Sequence, residues 1–309
     1  MKPLLIILGP TASGKTNLAT KVCSQIGGEL ISADSRQVYR GMNIGTGKDL
    51  HEFTIEGKTI PYHLIDIIEA GEQYNVSEYH KDFKNAFDSI TNRNRIPIVC
   101  GGTGFYIYSI LKGHAFSSIP VDEELRINLD PMTNDELMRK FQSFSTVYQT
   151  VADTSTRKRL IRAIEISKFL TENPDFNSDS SQTSPIYQAV VFGLDPPVPL
   201  RRDRITVRLK YRLENGLIDE VKGLLENGLT AEQLIYYGLE YKFVTLFLSG
   251  EMSYTDMCQR LESEIHRFAK RQMTFFRKME KDGIEINWLD TNMPVNDQME
   301  MIINKYQNN

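Results

Sequence analysis

Short, continuously apolar runs alternate with amphipathic stretches through the first hundred residues. "PLLIIL" (3–8) has the pattern of a strand buried on both faces of a parallel sheet. It runs into a Gly-rich turn and then "KTNLATKVCSQI", whose apolar spacing predicts a helix. "ELISA" (29–33), "YHLIDII" (62–68) and "IPIVCGG" (96–102) predict three more strands, with a polar helix from Ser77 to Ile90 before the last. Strands separated by helices imply βαβ units, a parallel sheet and ligands at the strand C-termini.

From about residue 115 the pattern changes. Residues 120–170 read as helices, including "DELMRKFQ" and "RKRLIRAIEISKFL", with no strand, and "TENPDFNSDSSQTSP" (171–185) reads as a polar loop. "IYQAVVFGLD" (186–195) predicts a strand returning to the sheet. Long helices follow to about residue 280, and "IEINWLD" (284–290) predicts a last strand. The expected architecture is one α/β core from residues 1–115 and 186–309, interrupted by a helical insertion at 116–185.

Composition narrows the classes. With 309 residues, 40% hydrophobic and 25% charged, the chain can bury a large core as an ordinary globular protein. Cys23, Cys100 and Cys258 form no CxxC pair, which fits a reduced compartment and offers no zinc spacing. The N-terminal apolar run is broken at once by Gly9 and Pro10, too soon for a signal peptide or a membrane span, so the expected location is the cytoplasm. A net charge of −4 excludes a protein that is basic all over. It leaves three local concentrations of positive charge, at 157–162, 201–212 and 266–278.

The strongest motif is "GPTASGKT", Gly9, Pro10, Thr11, Ala12, Ser13, Gly14, Lys15 and Thr16, which matches G-x-x-x-x-G-K-[ST] between a predicted strand and a predicted helix. Such a loop folds its N–H groups around a phosphate at the positive end of a helix. Lys15 reaches the phosphate oxygens, and the Thr16 hydroxyl can hold Mg²⁺ or hydrogen-bond an oxygen. This predicts binding of a di- or triphosphate on a P-loop NTPase-like core. Asp34 closes the second predicted strand, eighteen residues after Thr16, and so faces the same crevice. It can serve as a magnesium ligand, a catalytic base or a strand-end cap. An ATP-using kinase would also need an acid at a strand end to hold its metal, for which Asp66 is the candidate. A nucleotide-dependent RNA-binding protein without turnover is a further alternative.

On "RRDRITVRLKYR" (201–212), Arg204, Arg208 and Arg212 recur every four residues and are expected on one helix face beside an apolar stripe of Ile205, Leu209 and Leu213. On the later basic helix, Lys270, Thr274 and Arg277 are expected along one side, with Phe268, Phe275 and Met279 packing elsewhere.

"GPTASGKT", "LISADSRQVYRGMNIGTGK", "IPIVCGGTGFYI" and "AKRQMTFFR", in this order, resemble the tRNA dimethylallyltransferases, also called tRNA isopentenyltransferases, over most of the chain from Leu4 to about Asp290. The resemblance implies transfer of a dimethylallyl group from dimethylallyl diphosphate to N6 of the adenosine immediately 3′ of the anticodon, in tRNAs that read codons beginning with U. It implies that the phosphate loop holds the diphosphate of the prenyl donor, with Mg²⁺ and Arg208. Asp34 matches the motif aspartate that acts as base, and Asp34, Thr16 and Arg208 become the catalytic set. Ser35, Arg36, Gln37 and Thr103 match positions that grip nucleotides. Arg126, Lys158, Arg159 and Arg162 on the insertion, with Lys270, Arg271 and Arg277, are expected to contact the anticodon stem-loop.

Two departures stand out. Many relatives carry a Gly-Tyr-Arg-Gln-like segment where this chain reads "YYGLEYKFVT" (236–245), and the insertion is short. No C-terminal Cys/His zinc module and no transit segment is read, so the expectation is a bacterial-type enzyme that works as a monomer, away from membranes.

Overall fold

The computed structural model describes residues 3–113, 116, 119–176 and 187–308. The chain forms two compact units, Met1–Leu111 with Ile186–Asn309, and Lys112–Pro185.

The first unit is built on a parallel sheet of six strands: β1 (Leu4–Leu8), β2 (Gly28–Ser32), β5 (Tyr62–His63), β6 (Ile96–Gly101), β7 (Ala189–Leu194) and β8 (Asn287–Leu289), in the spatial order β5-β2-β6-β1-β7-β8. A two-stranded antiparallel ribbon, β3 (Thr54–Ile55) with β4 (Lys58–Thr59), lies outside it. β1 shows why its apolar run is unbroken. Leu4, Ile6 and Leu8 belong to one core cluster and Leu5 and Ile7 to another, because successive side chains leave opposite faces and both faces are covered. Helix α1 (Lys15–Ile26) places Leu18, Ala19, Val22 and Cys23 in the second cluster. Helix α2 (Val76–Asn92), opened by an Asn75–Glu78 capping box, places Tyr79, Phe83, Phe87 and Ile90 in the first. After β6 the chain continues into α3 (Gly104–Lys112).

The second unit holds α4 (Glu123–Leu129), α5 (Asn134–Gln142) and α6 (Arg157–Glu172), which close a small core of Leu125, Leu129, Leu137, Phe141, Leu160, Ala163 and Ile164. Each helix opens on a side-chain cap, Asp122, Thr133 and Thr156 respectively. Residues 177–185 of the polar stretch expected as a loop lie outside the described residues, while Thr171 and Glu172 finish α6.

The rest of the first unit is helical apart from β7 and β8: α7 (Val198–Glu214), α8 (Leu217–Glu226), α9 (Ala231–Tyr237), α10 (Leu239–Leu248), α11 (Tyr254–Lys281) and α12 (Val295–Gln307).

Two expectations need correcting here. The strand expected over residues 62–68 is interrupted: it pairs with β2 at Tyr62 and His63, breaks where Leu64 and Asp66 take left-handed backbone angles (φ 62 and 55), and returns only as an isolated parallel bridge between Tyr39 and Ile68. Asp66 is no free metal ligand either. Its carboxylate is bound by the ammonium of Lys48, a fully buried lysine that also donates to Tyr39 O (2.6 Å).

Candidate active site

Gly14 takes φ 87 where the chain turns from the loop into α1, a conformation that glycine reaches without steric cost. This lets residues 9–16 wrap the first turn of α1, whose N–H groups have no partner within the helix. The Ser13 hydroxyl is buried with no hydrogen-bond partner among the described residues. Lys15 reaches back to Pro10 O at 3.3 Å. Gln272 of α11 clamps the loop from the other side: its Oε1 accepts from Thr11 N (2.8 Å) and its Nε2 donates to Gly102 O (2.9 Å).

Asp34 follows the C-terminal end of β2. Its Oδ1 accepts from Arg36 N (2.9 Å), an Asx-turn that fixes the carboxylate, while Oδ2 has no hydrogen-bond partner among the described residues. Strands β2 and β1 are not neighbours, since β6 lies between them. The end of β6 therefore brings the two motifs together. A Cβ on Gly101 would sit 2.2 Å from Ala33 O, so only glycine lets the strand ends close this tightly. Beside it, Thr103 N donates to Ala33 O (3.0 Å) and Thr103 Oγ1 accepts from Ser35 N (3.0 Å). The amide of Gln37 is used at both ends by the protein, accepting from Ser32 Oγ (2.9 Å) and donating to Gly47 O (3.1 Å).

These parts line one cavity of about 410 Å³. Lys15, Arg208, Arg212 and the loop residues Thr11 to Thr16 face it, as do Asp34, Ser35, Arg36, Gln37 and Thr103. Arg208 donates to Thr11 Oγ1, and Arg212 donates to Asp49 Oδ2 at 3.2 Å. Burial pulls the Arg208 guanidinium down to about 10, with the neighbouring Arg212 adding repulsion and Asp49, Glu240 and Glu52 opposing it. Lys15 is lowered by burial too, against the pull of Asp34. Two cations destabilised by desolvation, an orphan hydroxyl and a helix N-terminus make a site whose unmet need is an anion.

The arginine face of α7 differs from its expectation. Arg204 is exposed, and the inward seam is Arg201, Arg208 and Arg212, because a spacing of four drifts around a helix of 3.6 residues per turn. Ile205 and Leu209 are buried as the stripe requires, with Leu213 half-buried. On α11, Lys270, Thr274 and Arg277 are exposed as expected, and Arg271 is too. Phe268 does not pack away: it is 42% exposed and lines the cavity with Arg271.

The insertion uses its arginines differently. Glu165 is 2% exposed, accepts Arg126 Nε at 2.8 Å on Oε1, and accepts Arg126 NH2 and Arg162 NH1, both at 3.2 Å, on Oε2. Arg162 also donates to Ile119 O (2.6 Å), and Arg159 pairs with Asp153 (2.9 Å). Lys158 is exposed, beside a shallow depression shared with Arg126, Arg157 and Asp130.

Three parts of the site were not read from the sequence. Gln272 is the lone polar residue in the buried series Ile265, Ala269, Met273, Phe276 and Met279, a signal masked by its cationic neighbours. Glu240, at the start of α10, lines the cavity with its carboxyl raised by burial and lowered in turn by Arg212 and Arg208. Glu220 of α8 accepts Asn43 N and Ile44 N (2.7 Å each), Gly45 N (3.0 Å) and Tyr241 Oη (2.8 Å), pinning the loop that carries Gly47 and Asp49.

A parallel sheet whose first strand enters G-x-x-x-x-G-K-T, with half-buried cations over the loop and a fixed carboxylate across the cavity, defines a P-loop-type α/β group-transfer protein. A family model described as IPP transferase matches residues 37–279, and the chain belongs to that family. It is 50% identical over 289 residues to tRNA dimethylallyltransferase 1 of Azobacteroides pseudotrichonymphae, covering 93% of this chain and 92% of that one. It is 47% identical over 306 residues to tRNA dimethylallyltransferase 1 of Porphyromonas gingivalis, covering 99% and 100%. The crystal structure of the tRNA isopentenylpyrophosphate transferase of Bacillus halodurans superposes with a TM-score of 0.71 at 29% identity, covering 100% of this chain and 98% of that one. The Staphylococcus epidermidis enzyme gives 0.70 at 29%, covering 99% of each. The phosphate loop and Asp34 precede the matched span, so their assignment rests on the geometry above.

Proposed function

We propose that the chain transfers the dimethylallyl group from dimethylallyl diphosphate to N6 of the adenosine 3′-adjacent to the anticodon, in tRNAs reading codons that begin with U, releasing diphosphate. The observation that carries this reading is the sharing of one cavity by a fixed carboxylate with a free oxygen, Asp34 Oδ2, and two half-buried, desolvated cations, Lys15 and Arg208, over the phosphate loop.

The loop amides of residues 9–16, Lys15, the Ser13 hydroxyl and Arg208 hold the diphosphate, whose charge grows as its C–O bond breaks. Donors already fixed in a desolvated site stabilise that charge without reorganising. The adenine amine attacks C1 of the prenyl group, a C–N bond forms, and the N6 proton passes to Asp34. The amine is a poor nucleophile because its lone pair is delocalised into the ring, and a positioned base is worth about 10²–10⁴-fold. The hard oxygen donors at the loop suit Mg²⁺, which keeps few protein ligands and several substrate oxygens and waters. No cluster of three or more His, Cys, Asp or Glu stands ready for a metal among the described residues, so Thr16 and the diphosphate oxygens would hold it. Bound there, it supplies charge neutralisation for the leaving group.

On the RNA side, Ser35, Arg36 and Thr103 lie beside Asp34 to meet the extruded nucleotide, with Gln37 fixing the loop behind them. Lys270, Arg271 and Arg277 neutralise backbone phosphates, as do Lys158 and Arg159 of the insertion. Arg126 and Arg162 order α6 through Glu165 and so present that basic helix. No helix among the described residues is long and apolar enough to cross a membrane, and we place the enzyme in the cytoplasm as a monomer. The kinase reading finds no support among the relatives.

Incubation with labelled dimethylallyl diphosphate and bulk tRNA, in parallel with labelled ATP, tests this directly. Label from the prenyl donor enters tRNA and label from ATP does not; tRNA that stays unlabelled by the prenyl donor refutes the assignment.

A further inference from the structure

The rim of the cavity carries two aromatic rings that folding leaves in water, each attended by an arginine. Tyr236, near the end of α9, is 54% exposed, and the guanidinium carbon of Arg36 lies 5.4 Å from its ring centroid. Phe268 of α11 is 42% exposed, and the guanidinium carbon of Arg271 lies 6.0 Å from its centroid. Arg36, Phe268 and Arg271 line the same cavity as Asp34. Neither ring is needed by the core, where Tyr237 and Ala269, their chain neighbours, are buried. An exposed aromatic ring alone is unremarkable on a protein surface. Two of them, on different helices, each paired with a guanidinium at the mouth of one cavity, form a pattern that uncharged or purely apolar ligands do not explain.

Unstacked nucleobases do explain it. Bases removed from their neighbours stack on aromatic rings and on guanidinium planes alike, while the cation draws in the phosphate beside them. Extruding one adenosine from a loop orphans two base faces, one on each flanking nucleotide, and the rim offers two platforms. We infer that Tyr236 with Arg36, and Phe268 with Arg271, are stacking platforms for the nucleotides on either side of the extruded adenosine. This rests on the tRNA-modifying reading above and adds to it which side chains receive the flanking bases. It also gives a role to the divergent segment at 236–245, whose first tyrosine is one of the two rings.

The test uses the full chain and anticodon stem-loop RNAs carrying 2-aminopurine immediately 5′ or 3′ of the target adenosine. Stacking on a platform quenches this base. At saturating wild-type protein both probes are quenched. Tyr236→Ala relieves the quenching of one probe and Phe268→Ala that of the other, and each lowers kcat/KM for the stem-loop by about 5- to 100-fold, the range for loss of one base–aromatic stack. The KM for dimethylallyl diphosphate stays within twofold or so, since neither ring touches the phosphate loop. Tyr236→Phe and Phe268→Tyr retain the quenching, which separates stacking from a general loss of structure. Wild-type quenching that persists in both alanine variants, or that is absent from the start, overturns the platforms. The fluorescence arm needs no turnover, so a failure of prenyl transfer would be seen separately and would count against the enzymatic assignment alone.

Discussion

Arginines and carboxylates meet in two places in this protein, and they are left in opposite states. In the insertion, Glu165 is buried with both oxygens engaged by Arg126 and Arg162, and both terminal nitrogens of Arg162 also donate to main-chain carbonyls. In the cavity, Arg208 and Lys15 are desolvated, only partly compensated and shifted downwards, while Asp34 keeps one oxygen free. Counting charges along the chain treats the two clusters alike. What distinguishes them is whether the fold has already satisfied the charges. A satisfied cluster holds structure together, and an unsatisfied one awaits a ligand.

The sharpest way to break this contrast is to remove the two acids in turn. Asp34→Asn should lower kcat by about 10²–10⁴-fold, the range for losing a general base, with tRNA affinity and melting temperature nearly unchanged. Glu165→Gln should do the reverse: turnover persists, while stability falls by about 1–3 kcal/mol because buried donors of Arg126 and Arg162 lose their partner. Chemical denaturation beside steady-state kinetics reads both, and a large activity loss in Glu165→Gln at full stability would refute the division.

A smaller effect separates the cations. Arg208→Met should raise the KM for dimethylallyl diphosphate roughly tenfold to a hundredfold, the worth of charge-assisted hydrogen bonds. Without ligand the same variant should melt at the wild-type temperature or above it, since a desolvated charge has been taken away. A marked loss of ligand-free stability would mean that Arg208 is a structural residue like Arg162.

The smallest effect concerns Glu240, whose carboxyl is raised from its ordinary 4.5 by burial. Below that value the residue is protonated both folded and unfolded. As pH rises the unfolded chain ionises first, so the folded state loses stability until Glu240 reaches its own raised value. Glu240→Gln removes this loss. The melting temperature of the variant relative to wild type should therefore climb as pH rises above the ordinary carboxyl value of 4.5, and a flat difference would contradict it.

Much of the core was legible from local pattern. β1 is an apolar run between Pro3 and Gly9, β6 is one that carries Pro97 and ends at Gly101, β2 is a short run opened by Gly27 and Gly28, and the loop from Gly9 to Thr16 declares itself by spacing. The third expected strand is cut to two residues because left-handed angles at Leu64 and Asp66 interrupt its pairing, which returns only as the Tyr39–Ile68 bridge, and the side chains there are ordinary. Phe268 was misplaced because periodicity says which helix positions share a side, not which side meets the core. Gln272 was overlooked because its partners, Thr11 and Gly102, are 261 and 170 residues away in the chain.

By itself, then, the sequence determined the strands that bury both faces, the turn that exposes a helix N-terminus, and the acid that follows a strand end. Each depends on a few neighbouring residues and on periodicities set by backbone geometry. Only the tertiary structure decided that β6 separates β1 from β2, that Gln272 clamps the loop, and which arginines stay unsatisfied. Those outcomes depend on which charges and hydrogen-bonding groups meet after collapse, and that is a property of long-range packing.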